Sequence, residues 1–254
     1  MRILLVNGNT TTTMTETLAS TAREAAAPGT EVAGVTATVG AAIVSHRAEE
    51  AIAGHAILKA IADHEEPFDG VLIGVSTDPA LGAARALLPV PVVGMTEAAL
   101  FSACMLGGRF GLVTFSLASA PGYREAVERY GLAGRLAGLR TIDIPLAEAY
   151  AKREKLEDAI VEVAEALIER DGAEVLILAG AAAAGLPPLL QPHVPVPLLD
   201  GIVCGVRMTE AMIRLGAPKP TRGSYSPPAE NRYTGLDEPT VRLLRRWAGT
   251  PEGN

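Results

Sequence analysis

The chain has 254 residues, 48% of them hydrophobic, and a formal net charge of −7. That length buries roughly 70–75% of its unfolded surface, enough for one large α/β unit, and the acidic balance argues against nucleic-acid binding, which favours a basic stripe. No apolar run reaches the roughly 18 residues of a membrane span, and two cysteines, Cys104 and Cys204, are too few and too far apart for a disulfide scaffold or a zinc site.

The start, Met1–Asn7, is too short for the core of a signal peptide. It reads as a first buried strand, Ile3–Val6, in a cytoplasmic protein. A helix over Thr13–Ala26, a strand over Glu31–Thr36 and a helix over Ala48–Asp63 follow. Next come a strand over Gly70–Val75, a helix over Ala80–Leu87, a strand over Val90–Gly94 and a helix over Thr96–Leu106. The pattern repeats with Phe110–Thr114 extended, Pro121–Tyr130 helical, Arg140–Ile144 extended and Leu156–Arg170 helical. Strands over Val175–Ala179 and Val196–Leu199 and a helix over Gly201–Leu215 complete it. Apolar strands without polar alternation, separated by helices, predict parallel strands buried on both faces. The fold class is α/β, doubly wound. The tail after Gly216, rich in Pro, Gly and Tyr, is expected to wrap over the body. Its basic cluster Arg242, Arg245 and Arg246 reads as a solvated or oligomer-contacting helix face.

An internal repeat organises these elements. Asp69–Ser76 is echoed 104 residues on by Ala173–Gly180, and Pro89–Gly94 is echoed 106 residues on by Pro195–Asp200. Arg2–Asn7 and Arg109–Thr114 form a third pair at an offset of 107. The chain therefore reads as two pseudo-symmetric halves, residues 1–108 plus 201–254 and residues 109–200. Open α/β sheets bind ligands beyond the carboxyl ends of their strands. Four loops then face one cleft: Asn7–Thr13, Val75–Leu81, Thr114–Ser119 and Gly180–Leu186.

In the first loop, Asn7, Asn9 and Thr10 lead into a helix whose amino end attracts anions, although a plain cap explains them as well. In the second, Ser76 and Thr77 are placed to donate to a carboxylate or a developing enolate. Asp78 before Pro79 suits an N-cap with Pro at the first helical position. Thr114 and Phe115 line the third loop. Gly180, Ala181 and Ala182 offer only backbone N–H groups and space. His46 is the ionisable side chain expected to point at the cleft, whereas His193 lies elsewhere. Cys104 and Cys204 read as small hydrophobes on buried helix positions.

Taken in order, these blocks resemble the hydantoin and allantoin racemases of the aspartate/glutamate racemase superfamily over nearly the whole chain. Asn7-Gly8-Asn9-Thr10 is similar to that family's Asn-Pro-Asn-Thr, and Asp78-Pro79-Ala80-Leu81 to its Asp-Pro-Gly-Leu. Pro91-Val92-Val93-Gly94 with Glu97-Ala98, Asp200-Gly201, Arg222–Pro228 and Tyr233-Thr234-Gly235 match further blocks. The resemblance implies two thiols, one removing and one returning a proton at the substrate carbon. It places them at Val75 and Gly180, and neither is a cysteine. Arylmalonate decarboxylase, in the same superfamily, lacks the first thiol and uses hydroxyls to bind its carboxylate; Ser76 and Thr77 resemble that pair.

The reading drawn from this is an enzyme with thiol-independent chemistry on a small carboxylate or cyclic amide. It would pass through an enolate-like state as a lyase, decarboxylase, cyclase or isomerase. Ser76, Thr77 and His46 are the candidate catalytic groups. Asn7, Asn9, Thr10, Val75, Thr114, Phe115, Gly180, Ala181 and Ala182 are the candidate substrate contacts. A non-catalytic binding member and an ordinary racemase are the alternatives. No cofactor, nucleic acid or membrane is expected, and self-association is.

Overall fold

The structure, a computed structural model, describes residues 1–142, 153–226 and 228–245. Its strands are β1 (Arg2–Asn7), β2 (Glu31–Thr36), β3 (Gly70–Ile73), β4 (Val92–Gly94), β5 (Phe110–Thr114), β6 (Leu136–Thr141), β7 (Val175–Ala179) and β8 (Leu198–Asp200). Its helices are α1 (Thr12–Ala25), α2 (Arg47–Asp63), α3 (Leu81–Leu87), α4 (Met95–Leu106), α5 (Ala120–Arg129), α6 (Arg153–Glu169), α7 (Pro187–Leu190), α8 (Gly201–Leu215) and α9 (Glu238–Arg245).

Two four-stranded parallel sheets form, in the orders β2-β1-β3-β4 and β6-β5-β7-β8. The second order is the first with β1, β3 and β4 replaced by their expected repeat partners β5, β7 and β8 and with β6 in the place of β2, so the duplicated α/β architecture read from the sequence is the one observed. The registers differ by one residue: Leu5 stands opposite Leu72 across β1 and β3, whereas its equivalent Leu112 stands opposite Ile177, one place beyond Leu176, the repeat partner of Leu72.

Alternation along the strands explains the layers. In β1, Leu4 and Val6 face α2 and α3, joined by Val71 and Ile73. Ile3 and Leu5 point the other way, into a core that also holds Phe110, Leu112, Val175 and Ile177 from the second sheet. Helices α1, α4, α5 and α8 contribute to this shared core through Leu18, Leu100, Tyr123 and Ile202. The outer face of the second sheet is covered by α6 through Ile160, Ala164 and Leu167. Each large side chain buried in this way contributes roughly 1.5–3 kcal/mol. The common central layer therefore fixes the two sheets relative to each other.

Strand β6 begins at Leu136 rather than Arg140, because this half-buried edge strand carries Gly138 and Arg140 and lacks a continuous apolar run. The expected strand's last residues, 143 and 144, lie outside the described residues, as do Pro227 and Arg246. Helix α8 is capped at both ends: the Asp200 carboxylate accepts from the N–H groups of Ile202 and Val203 at 2.8 Å, and Gly216 closes it in the left-handed region (φ 63°). It packs on α1, α4 and β3, and α9 packs on α2.

Candidate active site

The four loops at the carboxyl ends of β1, β3, β5 and β7 meet as the repeat requires. They line a cavity of about 110 Å³ with Asn9, Gly74–Thr77, Thr114–Ser116, Ser119 and Ala179–Ala182. Three groups come from helices instead: Met14 of α1, Glu50 of α2 and Tyr123 of α5. Ile43, Val44 and Ser45, between β2 and α2, form part of the rim. A larger apolar cavity of about 410 Å³ lies near β4, α4 and α8. The strand-end cavity is the better candidate because polar groups from both halves converge on it.

Each hydroxyl has a definite state. Thr77 Oγ1 donates to the Ser76 carbonyl at 2.6 Å, so its proton is already committed. Ser119 Oγ donates to the Ser116 carbonyl at 3.0 Å, which leaves Thr114 Oγ1 as the donor in its 3.0 Å contact with Ser119. Ser76 is different, because its hydroxyl partner is the Tyr123 phenol. Tyr123 is 2% exposed, and burial pushes its phenol well above the ordinary range, with the Ser76 hydrogen bond pulling the other way. Both hydroxyls converge on Gly180: a Cβ there would stand 3.6 Å from Tyr123 Oη and 4.0 Å from Ser76 Oγ. Gly180 has φ 121°, a conformation close to glycine-only. The hydrogen bonds of the following turn begin at Ala183 N–H to the Gly180 carbonyl, so the N–H groups of Ala181 and Ala182 stand at its open start.

The β3 loop is strained. Thr77 (φ 65°), Asp78 (φ 55°) and Ala80 (φ 60°) are the positive-φ residues other than glycine among those described. Such residues cluster at functional sites, where surrounding contacts over-determine them. Those contacts are visible: Arg129 Nη2 donates to the Thr77 carbonyl at 2.8 Å, and Thr77 N–H donates to Thr96 Oγ1 at 3.3 Å. Asp78 is the anchor. It accepts from Thr96 N–H at 3.0 Å, Glu97 N–H at 2.7 Å and Tyr130 Oη at 2.8 Å. Gly94 makes the approach possible, since a Cβ there would stand 2.3 Å from Asp78 Cγ. Burial raises the Asp78 carboxyl to about 6 against these three donors. Asp78 thus caps α4 and not α3, correcting the expected local cap; α3 starts at Leu81 behind Ala80 with no side-chain cap.

Of the expected contacts, Asn9, Val75, Ser76, Thr77, Thr114, Phe115, Gly180, Ala181 and Ala182 all line the cavity. Asn7 and Thr10 do not. Asn7 is fully buried and holds Asn9 in place, with Nδ2 donating to Asn9 Oδ1 at 2.9 Å and to Thr15 Oγ1 at 3.0 Å. Thr10 ties the loop down through its N–H to the Ala41 carbonyl at 3.0 Å. His46 is exposed and outside the lining. Its Nδ1 accepts from Ala48 N–H, and Glu49 accepts from His46 N–H at 2.9 Å, so it caps α2. Sequence reasoning missed Glu50 and Tyr123. The two adjacent acids of the first turn were the available signal for Glu50, since a capping box needs only Glu49. Neither Cys104 nor Cys204 lines the cavity. Cys104 is half-buried on α4, and burial pushes the Cys204 thiol up to about 11.

Residues 3–209 match the Asp/Glu/Hydantoin racemase family. The chain belongs to that family. A racemase of this family, the allantoin racemase from Pseudomonas fluorescens, superposes with a TM-score of 0.89 at 34% identity, covering 92% of this chain and 100% of that one. The allantoin racemase from Klebsiella pneumoniae gives 0.89 at 31% identity over 94% and 98%. The hydantoin racemase of Pseudomonas sp. (strain NS671) is 29% identical over 94% of this chain and 96% of its own length. This Asp/Glu/hydantoin racemase fold, two parallel sheets with flanking helices, is the one expected from the repeat. Among the described residues, no helix is long and apolar enough to cross a membrane.

Proposed function

We propose that this chain is an isomerase that exchanges the proton on a carbon next to a carbonyl in a small cyclic amide, inverting that carbon without a thiol pair. The observation that carries the reading is the composition of the cavity wall. It presents Ser76, Thr77, Thr114, Ser119, Tyr123 and Glu50 and no cysteine, with Val75 and Gly180 where the resemblance implies thiols. The proton carriers are therefore oxygens.

Among the described lining residues there is no Lys, Arg or His, so a carboxylate substrate would meet no counter-charge from them and would lie beside Glu50. This favours a neutral ring over a carboxylate, and an isomerase over a decarboxylase. The hydantoin and allantoin racemases among its relatives support a cyclic ureide as the first class to assay. A ring carbonyl would take the Asn9 amide donor, whose present partner is the Met14 sulfur at 3.0 Å, a weak acceptor. The Ala181 and Ala182 N–H groups would steady the enolate.

The test is incubation of enantiopure 5-methylhydantoin, and separately of allantoin, in D₂O. Loss of optical rotation with uptake of one deuterium at the ring carbon is expected. Retained rotation with no deuterium across both compounds would refute the reading.

A further inference from the structure

Glu50 supplies the cavity's one carboxylate among the described lining residues. The first turn of α2 sets its direction. Glu49 is occupied by the N–H groups of Ser45 at 2.7 Å and His46 at 2.9 Å, while Glu50, the next residue, turns to the cavity. Gly122 gives it room: a Cβ there would stand 3.4 Å from Glu50 Oε1 and 3.2 Å from Thr77 Cγ2. Among the described residues, the Glu50 carboxylate makes no hydrogen bond or ion pair; Arg47, one turn earlier, is paired with Glu125 and reaches Glu50 only through a weaker electrostatic attraction.

The other oxygens cannot take its place. Serine and threonine hydroxyls are too weakly acidic to serve as bases at neutral pH. Burial keeps the Tyr123 phenol protonated, which suits a donor. Asp78 is enclosed by its three donors under the loop.

We infer that Glu50 is the general base of this site, an assignment that rests on the function proposed above. The substrate C–H bond breaks, its proton goes to Glu50 Oε, and the electron pair delocalises into the neighbouring carbonyl as an enolate. A new C–H bond forms with a proton from the Ser76–Tyr123 hydroxyl pair. Solvent returns the proton held by Glu50 to that pair, so the cycle closes without oxidant, reductant or co-reactant.

The experiment measures deuterium uptake into enantiopure 5-methylhydantoin by the wild type, Glu50→Gln and Glu50→Asp, with binding of the same compound followed by calorimetry. Glu50→Gln is expected to slow exchange by about 10²–10⁴-fold while ligand binding and Tm are retained, and Glu50→Asp to recover part of the rate. Exchange by Glu50→Gln at the wild-type rate would overturn the assignment and leave the proposed function standing. A wild type that binds the compound but exchanges nothing would overturn that function and this assignment with it.

Discussion

The Tyr130 hydroxyl donates to Asp78 Oδ2 at 2.8 Å, joining the end of α5 in the second half to the strained β3 loop of the first. The carboxylate it meets already accepts two N–H groups of α4. One buried side chain thus ties together the loop beneath the site, the helix it caps and the opposite half. Tyr130→Phe keeps the ring against Phe101 and under Arg129 but removes the donor. A hydrogen bond to a charged group contributes about 1.5–3 kcal/mol, and denaturant unfolding is expected to show a loss of that size. Unchanged stability would mean that the loop is held by its other contacts.

Asp78 makes stability depend on pH with a definite sign. Its folded pKa, raised by burial to about 6, exceeds the roughly 3.9 of an unfolded aspartate. The folded state therefore holds the proton more tightly between those values. The contribution is fully present below the unfolded pKa and is lost as pH rises through the folded one, by about 3 kcal/mol. Asp78→Asn cannot titrate. The stability of the wild type relative to Asp78→Asn is expected to fall by about that amount between roughly pH 4 and pH 7. A difference that stays flat with pH would show that Asp78 is ionised without penalty.

Ala80 occupies the left-handed region with φ 60°, where a Cβ costs roughly 1–2 kcal/mol. The motif that Asp78–Leu81 resembles has Gly at this position. Ala80→Gly is expected to raise stability by about 1 kcal/mol, the relieved strain being partly offset by the freer unfolded chain. A drop in the urea midpoint would show instead that the Ala80 methyl, 3.8 Å from where a Cβ on Gly54 would sit, matters more than the backbone.

His46 is a cap in this structure. His46→Ala is expected to cost about 1 kcal/mol of stability and to leave the chemical step intact, since the imidazole is exposed and outside the cavity. Stability and turnover measured side by side check this. Lost turnover at unchanged stability would restore the imidazole as an acid–base group.

The sequence by itself determined the two sheets, their repeat relationship and the four loops that meet at the site. Those features follow from runs such as Leu4–Val6 and Val175–Ala179, buried on both faces, whose apolar character is local and survives any detail of packing. Only the tertiary structure decided which side chains of those loops and helices face the cavity. Whether His46 or Glu50 reaches it depends on how α2 is rotated about its axis, and the capping box sets that rotation. Whether Asp78 caps its own helix or α4 depends on the close approach that Gly94 permits. Tyr123 meets Ser76 because the shared central core brings α5 of one half against the β3 loop of the other, a contact between distant segments that no local pattern encodes.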